Sequence, residues 1–300
     1  MSSILEIKNL KKSFGPKQVL KDVTFSIPEG SIFGFVGVNG AGKTTTMKII
    51  LGLLAPDSGE VRVCDERVVG NGEKTNHYIG YLPDVPEFYG YMNAREYLMF
   101  IGEIAGYTGD KNARTEELLD LVGLAADAKR RIKGYSRGMK QRLGVAQALF
   151  AKPRLLICDE PTSALDPVGR KEILDLLKAA KSETTVLFST HILSDVERVA
   201  DEIAMLNEGE IKFAGKPAEI LSRHAEQEYV LELNNETEYE AVLEAFPELR
   251  KADGEASEIL TIQDVETARK VMDYLVDKKI LPLKFEKKEA DLESIFMKNL

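Results

Sequence analysis

The chain has 300 residues, 44% of them hydrophobic, and a net charge of −9, so one large domain and one small domain are expected. Its two cysteines, Cys64 and Cys158, are too few for a disulfide framework and favour a reducing cytosol. We expect neither a signal peptide at Met1–Lys8 nor a membrane-spanning segment, because no apolar run approaches the required length. Work at a membrane would need another subunit to span it.

The first part of the chain predicts β structure. Ile4–Ile27 alternates apolar and polar residues around Gly15-Pro16, which is typical of two antiparallel strands joined by a turn. Residues 31–36 form a short apolar run that predicts a buried strand. From about residue 86 to residue 151, apolar residues recur at spacings of three and four, which predicts a helical insertion. Its helices are expected at Arg95–Ile104, Thr115–Leu121 and Lys140–Phe150.

Strand patterns return after this insertion. Leu155–Cys158 and Thr185–Ser189 flank a helical stretch at Gly169–Ala180, which is the rhythm of a parallel α/β sheet. A hairpin is predicted at Ile203–Phe213, with a short helix at Ala218–Arg223 after it.

The remaining residues predict a separate acidic unit. Residues 221–300 contain 19 acidic and 11 basic residues, or −8 of the net −9. This charge repels phosphate backbones and anionic lipid, so we expect no nucleic acid as a ligand there. The apolar pattern predicts a small α+β sandwich, whose elements in chain order are Tyr229–Leu233, Tyr239–Ala245, a weak strand near Arg250–Ala252, Ile259–Ile262, Val265–Lys278, Leu281–Phe285 and Asp291–Lys298.

A glycine-spaced run, Gly37–Thr45, follows the predicted strand at 31–36. Its glycines allow consecutive backbone N–H groups to turn inward around phosphate oxygens. Lys43 adds a positive charge for the outer phosphates, the Thr44 hydroxyl can hold magnesium, and a helix over Thr45–Gly52 would point its positive end at the phosphates. A glycine-rich surface turn is the alternative. The predicted nucleotide-binding residues here are Gly37, Asn39, Gly40, Ala41, Gly42, Lys43, Thr44 and Thr45.

Two acids, Asp159 and Glu160, end the apolar run Leu155–Cys158. A strand of this kind delivers Asp159 to the edge of the sheet, where it can bind magnesium directly or through water beside Thr44. Glu160 would then face the attacking water, and we predict that it is the catalytic base. An ordinary acidic turn is the alternative.

Residues 4 to about 215 resemble the ATP-binding-cassette (ABC) family. Gly37–Thr45 is like that family's Walker A motif, Leu155–Glu160 like its Walker B motif, and Ser163–Asp166 like its D-loop. The resemblance implies an α/β P-loop NTPase fold with an antiparallel β subdomain and a helical insertion, and ATP and magnesium as cofactors. It implies a nucleotide-binding domain at 1–222 and a small α+β accessory domain at 223–300.

The same resemblance assigns two further residues. His191 matches the family's switch histidine, whose neutral imidazole can hydrogen-bond the γ-phosphate and the attacking water. Phe14 stands at the position of the adenine-stacking aromatic, although an aromatic in the hairpin core is the alternative. No Asn-Lys-x-Asp run occurs, so ATP is favoured over GTP.

Tyr135–Met139 is similar to the family's Leu-Ser-Gly-Gly-Gln signature. The resemblance implies a head-to-tail dimer in which this segment meets ATP held by a second copy of the chain. Ser136 as a plain helix cap is compatible with the same geometry. The residues expected to make contacts in trans are Ser136, Arg137, Gly138, Met139 and Asp166.

Three positions depart from the family pattern. Val38 replaces a proline whose side chain need not touch phosphate. Arg137 and Met139 replace glycine and glutamine, and the arginine adds a positive charge near the phosphates. Asp84 stands where the family most often carries glutamine. A carboxylate can hold magnesium beside Thr44 and Asp159, but it cannot donate a hydrogen bond as an amide does.

The Ser-Arg-Gly-Met variant, the Tyr81–Asp84 stretch and an acidic unit that ends in Leu292–Phe296 together resemble the ATPase subunits of bacterial ABC-2 exporters. This implies two ATPase chains on the cytoplasmic face of the membrane, bound to a separate transmembrane permease. The rim Pro86–Asn93, beside Asp84, would contact that permease. The alternative is a soluble ABC-type ATPase that acts on ribosomes or DNA, although such chains usually carry two cassettes, coiled-coil inserts or basic patches.

Overall fold

A computed structural model of the chain describes residues 2–69, 73–224, 229–251, 259–288 and 291–298. It divides into two compact units, one made of Met1–Ile220 with Lys298–Leu300 and the other of Leu221–Met297. This division lies two residues before the boundary expected from the sequence. Among the described residues, no helix has the length and apolar character needed to cross a membrane.

The first unit is built on a mixed sheet of ten strands in the described part of the chain. Their order across the sheet is β5-β4-β1-β2-β10-β9-β3-β8-β7-β6. The strands are β1 (Ser3–Phe14), β2 (Lys17–Pro28), β3 (Ile32–Val36), β4 (Ser58–Val63), β5 (Glu66–Arg67), β6 (Ile79–Leu82), β7 (Leu155–Cys158), β8 (Thr185–Thr190), β9 (Glu202–Asn207) and β10 (Glu210–Gly215).

Two kinds of pairing share this sheet. Strands β1, β2, β4 and β5 pair antiparallel, as expected for the β subdomain. Strands β6, β7, β8, β3 and β9 pair parallel, and every residue of β3, β7 and β8 is buried. Such strands read as continuous apolar runs because helices cover both faces of a parallel sheet. The predicted α/β fold with an antiparallel β subdomain is confirmed.

The helices of the first unit begin at polar caps. Asn93, Asp110, Ser136 and Asp166 each accept a hydrogen bond from a backbone N–H in the first turn of the helix that follows. The helical insertion is confirmed. Its helices begin one to four residues earlier than apolar spacing indicated, because the polar cap sets where a helix begins, whereas apolar spacing shows only where its buried residues begin. The helices are α1 (Lys43–Ile50), α2 (Glu73–Asn76), α3 (Ala94–Ile104), α4 (Lys111–Leu121), α5 (Arg137–Leu149), α6 (Pro167–Ala180), α7 (Leu193–Val199) and α8 (Pro217–His224).

The second unit has its own antiparallel sheet, in the order β12-β13-β11-β14. The chain order β11-α9-β12-β13-α10-β14 is the split βαβ, ferredoxin-like motif. Its core contains Leu231, Leu260, Ile262, Val271 and Leu275. The elements are β11 (Tyr229–Glu232), α9 (Glu236–Ala245), β12 (Arg250–Lys251), β13 (Ile259–Ile262), α10 (Val265–Lys278), β14 (Lys284–Lys287) and α11 (Leu292–Lys298).

The expected α+β character of this unit is confirmed, with two boundaries wrong. Helix α9 begins at Glu236, three residues before the expected start at Tyr239. The last strand was expected at Leu281–Phe285, but β14 pairs with β11 only over Lys284–Lys287. Leu281 and Leu283 are exposed, so their apolar character does not reflect burial in a strand. Ala252, the end of the expected weak strand, lies outside the described residues.

Helix α5 packs closely on strand β6 at Gly80. A Cβ atom added to Gly80 would lie 2.1 Å from the backbone oxygen of Ala148. We therefore expect Gly80→Ala to lower the free energy of unfolding by about 1–3 kcal/mol, because the helix must shift to make room. Urea unfolding followed by circular dichroism measures this change.

Gly138→Ala is the matched control, because a Cβ there would meet nothing within 4 Å. It lies inside α5 and should be neutral or slightly stabilising, by up to about 1 kcal/mol. Equal unfolding midpoints for the two variants would contradict this description of the α5–β6 contact.

Candidate nucleotide site

The loop between β3 and α1 is held against the sheet by its glycines. A Cβ on Gly37 would lie 2.5 Å from the backbone oxygen of Leu206, and Gly42 has a φ of 115°, which side chains disfavour. Lys43 is the first residue of α1, two residues before the expected helix start. The loop thus presents backbone N–H groups and the start of a helix to one side, which is the arrangement of an anion site.

Lys43 is buried and surrounded by oxygen atoms. Its Nζ donates to the backbone oxygens of Gly37 and Val38, at 2.6 and 3.3 Å. It also forms an ion pair with Glu160 Oε1 at 3.0 Å. The other oxygen of Glu160 lies 2.7 Å from His191 Nδ1. Three predicted site residues from separate parts of the sequence therefore meet in one chain of contacts.

These residues face a cavity of about 470 Å³ at the carboxyl ends of the parallel strands. Phosphate oxygens that enter the cavity would compete with the Glu160 carboxylate for the Lys43 ammonium group. The residues that line the cavity are Val19, Asn39, Gly40, Gly42, Lys43, Thr44, Thr45, Asp84, Glu160, Ser163 and His191.

Asp159 lies behind this cavity and does not line it. It is buried, and its Oδ1 accepts a hydrogen bond of 2.7 Å from the Ser189 hydroxyl. The Ser189 hydroxyl also accepts a hydrogen bond of 2.9 Å from the Glu160 N–H, so one side chain holds both acids in place. Sequence reasoning did not assign Ser189, although a serine within the buried strand β8 is the signal for such a role.

Oxygen donors dominate the candidate magnesium site. The Thr44 hydroxyl and the Asp84 carboxylate line the cavity, while Asp159 is one layer deeper. The described residues contain no group of three His, Cys, Asp or Glu side chains placed to hold a metal ion. This donor set fits magnesium, a hard ion that commonly takes one or two protein oxygens and fills its shell with water and phosphate.

Two ionisable side chains near Asp159, those of Cys158 and Tyr81, are uncharged. Burial raises the pKa of the Cys158 thiol, as does the neighbouring Asp159 charge. Burial and Asp159 also raise the pKa of Tyr81 to about 12. Both groups therefore stay protonated at neutral pH.

The backbone after β7 is strained. Glu160 and Ala164 have φ angles of 48° and 51°, a left-handed conformation that costs about 1–3 kcal/mol for residues other than glycine. The conformation turns the Glu160 side chain toward Lys43 and His191. Strain of this kind persists only where surrounding contacts hold it in place.

Asp84 connects two surfaces. At this position the family usually has glutamine. The Asp84 Oδ1 atom accepts a hydrogen bond of 2.7 Å from the Ser163 hydroxyl. Arg137 Nη2 lies 3.9 Å away, and both side chains are about half exposed, so this ion pair is weak. Asp84 lines the nucleotide cavity and also an adjacent groove of about 440 Å³ with Val85, Pro86 and Lys133.

Phe14 does not lie among the cavity residues. It is 49% exposed at the end of β1, with Lys12 Nζ 5.6 Å from the centre of its ring. The alternative of a buried hairpin aromatic is therefore wrong, while stacking on adenine stays a prediction. Val19 of β2 lines the cavity instead, and nothing in its sequence context had indicated this.

The signature segment forms a second surface. The Ser136 hydroxyl caps α5 by accepting a hydrogen bond of 3.2 Å from the Met139 N–H. Asp166 caps α6 by accepting a hydrogen bond of 3.1 Å from the Gly169 N–H. Both line a depression of about 390 Å³ with Arg137, Gly138 and Met139. This depression shares no lining residue with the nucleotide cavity.

Comparison with known proteins identifies the family. The ABC transporter family profile matches residues 20–163. The uncharacterized ABC transporter ATP-binding protein YxlF of Bacillus subtilis (strain 168) is 38% identical over 98% of this chain and 99% of its own length. The bacitracin transport ATP-binding protein BcrA of Bacillus licheniformis is 40% identical over 70% of this chain and 69% of its own.

A solved structure described as an ATP-binding subunit of an ABC transporter aligns with a TM-score of 0.66 and 31% identity, over 74% of this chain and 93% of that chain. The chain belongs to the family of ABC transporter ATP-binding proteins. It is an ATP-binding ABC transporter subunit and an ATPase. This assignment replaces the alternative of an ABC-type ATPase that acts on ribosomes or DNA.

The position of Lys43 generates a binding prediction. We expect Lys43→Ala to weaken ATP binding at least tenfold, since about 1.4 kcal/mol of lost phosphate contact has that effect. Calorimetric titration with ATP measures the affinity. Lys48→Ala, which removes an exposed charge from the same helix, should bind within about twofold of the unmodified chain. Unchanged affinity for Lys43→Ala would contradict the assignment of the loop.

Proposed function

We propose that this chain hydrolyses ATP at an interface between two copies of itself, and that the closure of that interface drives a separate transmembrane permease. The observation that carries the proposal is the separation of two complementary surfaces within one chain. The nucleotide cavity contains Lys43, Glu160 and His191, while the signature depression contains Ser136 and Gly138.

Each surface offers what the other lacks. The cavity is open to one side and holds the base, the histidine and the lysine. The depression ends in a capped helix start, where N–H groups and an exposed hydroxyl suit a phosphate oxygen. A head-to-tail arrangement would place the Ser136–Met139 segment and Asp166 of one copy over the cavity of the other, with two nucleotides between them. Symmetric pairing of this kind closes on itself and yields a dimer.

Within the cavity we assign roles by position. Lys43, Asn39, Gly40 and Gly42 bind the phosphates, and Thr44 and Asp84 hold magnesium, with Asp159 acting from the layer behind. Magnesium, when bound, neutralises charge on the phosphate oxygens. Glu160 accepts the proton of the attacking water, and His191 orients Glu160 and the terminal phosphate. Phe14, at the turn of the β1–β2 hairpin, stacks on the adenine.

The permease would dock at the groove beside Asp84. Its lining mixes apolar residues with cations on α5 and the turn before it, including Lys133, Arg137 and Lys140. Exposed Tyr89 and Tyr91 extend the apolar surface along the rim. The docking places the chain on the cytoplasmic face of the cell membrane.

Export is the direction that the relatives support. BcrA is named for bacitracin transport, and the linearmycin resistance ATP-binding protein LnrL of Bacillus subtilis (strain 168) is 38% identical over 73% of this chain. We therefore assign the chain to an exporter of the ABC-2 kind, with residues 1–222 as the motor domain and residues 223–300 as an acidic accessory domain.

Glu160→Gln tests the chemical role and the dimer together. The amide cannot take a proton from water but keeps the shape of the side chain, so ATP should bind while hydrolysis falls at least about 100-fold. Because the nucleotide is not consumed, the variant should form a stable dimer with ATP in light scattering. Normal hydrolysis by a monomeric variant in excess ATP would refute the proposal.

Val85→Asp tests the docking groove. Val85 is 63% exposed and lines the groove, so a charge there should abolish retention of a multi-span membrane protein when the chain is purified from detergent-solubilised membranes. ATP hydrolysis by the isolated variant should be unchanged. Leu53→Asp, at a residue 69% exposed outside the groove lining, is the matched control and should retain the partner. Retention by both variants would overturn the groove assignment.

A further inference from the structure

The segments that carry Glu160 and His191 are joined a second time, behind the cavity. Thr162 follows Glu160 by two residues, and Asp195 lies in α7, which begins two residues after His191. The Thr162 hydroxyl donates a hydrogen bond of 2.6 Å to Asp195 Oδ2. The two residues are 1% and 2% exposed, so water does not compete for this contact.

Helix α6 supplies the charge that balances Asp195. Arg170 Nη2 donates a hydrogen bond of 2.7 Å to the other carboxylate oxygen of Asp195, Oδ1. A buried carboxylate is stable only with such partners. The backbone N–H of Arg170 also donates a hydrogen bond of 2.9 Å to the backbone oxygen of Asp166, the residue that caps α6 in the signature depression. The Thr162–Asp195–Arg170 group therefore joins three segments: the loop after β7, the start of α6, and α7.

The loop needs an external anchor. Its two left-handed residues, Glu160 and Ala164, flank the position of Thr162. Because such conformations persist only where contacts enforce them, the buried Thr162 hydroxyl bond is placed to keep the loop in the shape that aims the Glu160 carboxylate at the cavity.

The direct contact between Glu160 and His191 cannot do this throughout a catalytic cycle. Both Glu160 oxygens are engaged, by Lys43 at 3.0 Å and by His191 at 2.7 Å. To accept a proton from water, the carboxylate must exchange at least one of these partners. The Thr162–Asp195 bond lies outside the cavity lining and has no such exchange to make.

We propose that Thr162 and Asp195, balanced by Arg170, are positioning residues that hold Glu160 and His191 in register while the direct contact between them is exchanged during ATP hydrolysis. The inference rests on the roles proposed above for Glu160 and His191. It identifies a contact that governs the rate of the chemical step and leaves ATP binding alone, because neither side chain lines the cavity.

Thr162→Val and Thr162→Ser separate the hydroxyl from the side-chain volume. Valine keeps the shape and loses the donor, whereas serine keeps the donor. We expect Thr162→Val to lower kcat by about 10- to 100-fold, the effect of a small misplacement of reacting groups, with KM and ATP affinity within about twofold of the unmodified chain. Thr162→Ser should keep at least about half of the original kcat, since the hydrogen bond remains.

Thr115→Val is the control for burying an extra methyl group. Thr115 is fully buried in α4, and its hydroxyl has no hydrogen-bond partner among the residues that the structure describes. Its replacement should leave kcat and KM unchanged. Thermal unfolding of each variant confirms that the compared chains are folded at the assay temperature.

Asp195→Asn provides a second route if Thr162→Val is poorly folded. On its own it should lower kcat with ATP affinity within about twofold of the unmodified chain, because a neutral amide weakens the contacts with Thr162 and Arg170. Where Thr162→Val is folded, a double-mutant cycle of the two changes should show strong non-additivity in kcat, because both act on one bond. Additive losses, a Thr162→Val kcat within twofold of the unmodified chain, or a Thr162→Ser loss as large as that of valine would each overturn the inference. A failure of the proposed base would show differently: Glu160→Gln would hydrolyse ATP at the full rate, whatever the Thr162 variants do.

Discussion

Four parallel strands, β3, β8, β7 and β6, end side by side, and each is followed by a polar group of the nucleotide site. The register pairs Val36 with Thr190, Cys158 with Phe188, and Leu82 with Cys158. Because β3, β7 and β8 are buried along their whole length, charged side chains collect where the strands end. Gly37, Asp159, His191 and Asp84 stand just beyond these ends, so the register of the sheet determines the geometry of the site.

At this edge the charges of Lys43 and Glu160 are paired with each other. Lys43 is held by two backbone oxygens and by Glu160, and Glu160 is shared with His191. A buried charge that loses its partner is strongly destabilising, so an entering phosphate has to replace the Glu160 carboxylate at Lys43. That exchange would free the carboxylate for water, while Thr162 and Asp195 keep its loop in place.

Much of this arrangement could be predicted from sequence, because glycine spacing, acids at a strand end and apolar periodicity are local signals. Strands β4 to β6 and helices α2 and α7 were not predicted, because their sequences carry weak periodicity. The contact of Ser189 with Asp159 and that of Thr162 with Asp195 join residues about 30 positions apart, so no local pattern could show them. Local pattern placed Asp159 in the site, and only the fold shows it one layer behind the cavity.

The central claim is that the nucleotide cavity and the signature depression are halves of one site completed by a second copy. Mixing two inactive variants tests it directly: Lys43→Ala disables the cavity, and Gly138→Asp puts a repelling carboxylate in the depression, where space is open. In a mixed dimer, one site combines the intact cavity of one chain with the intact depression of the other. Mixing should therefore restore ATP hydrolysis well above the sum of the separate rates, whereas a mixture as inactive as its components would contradict the shared site.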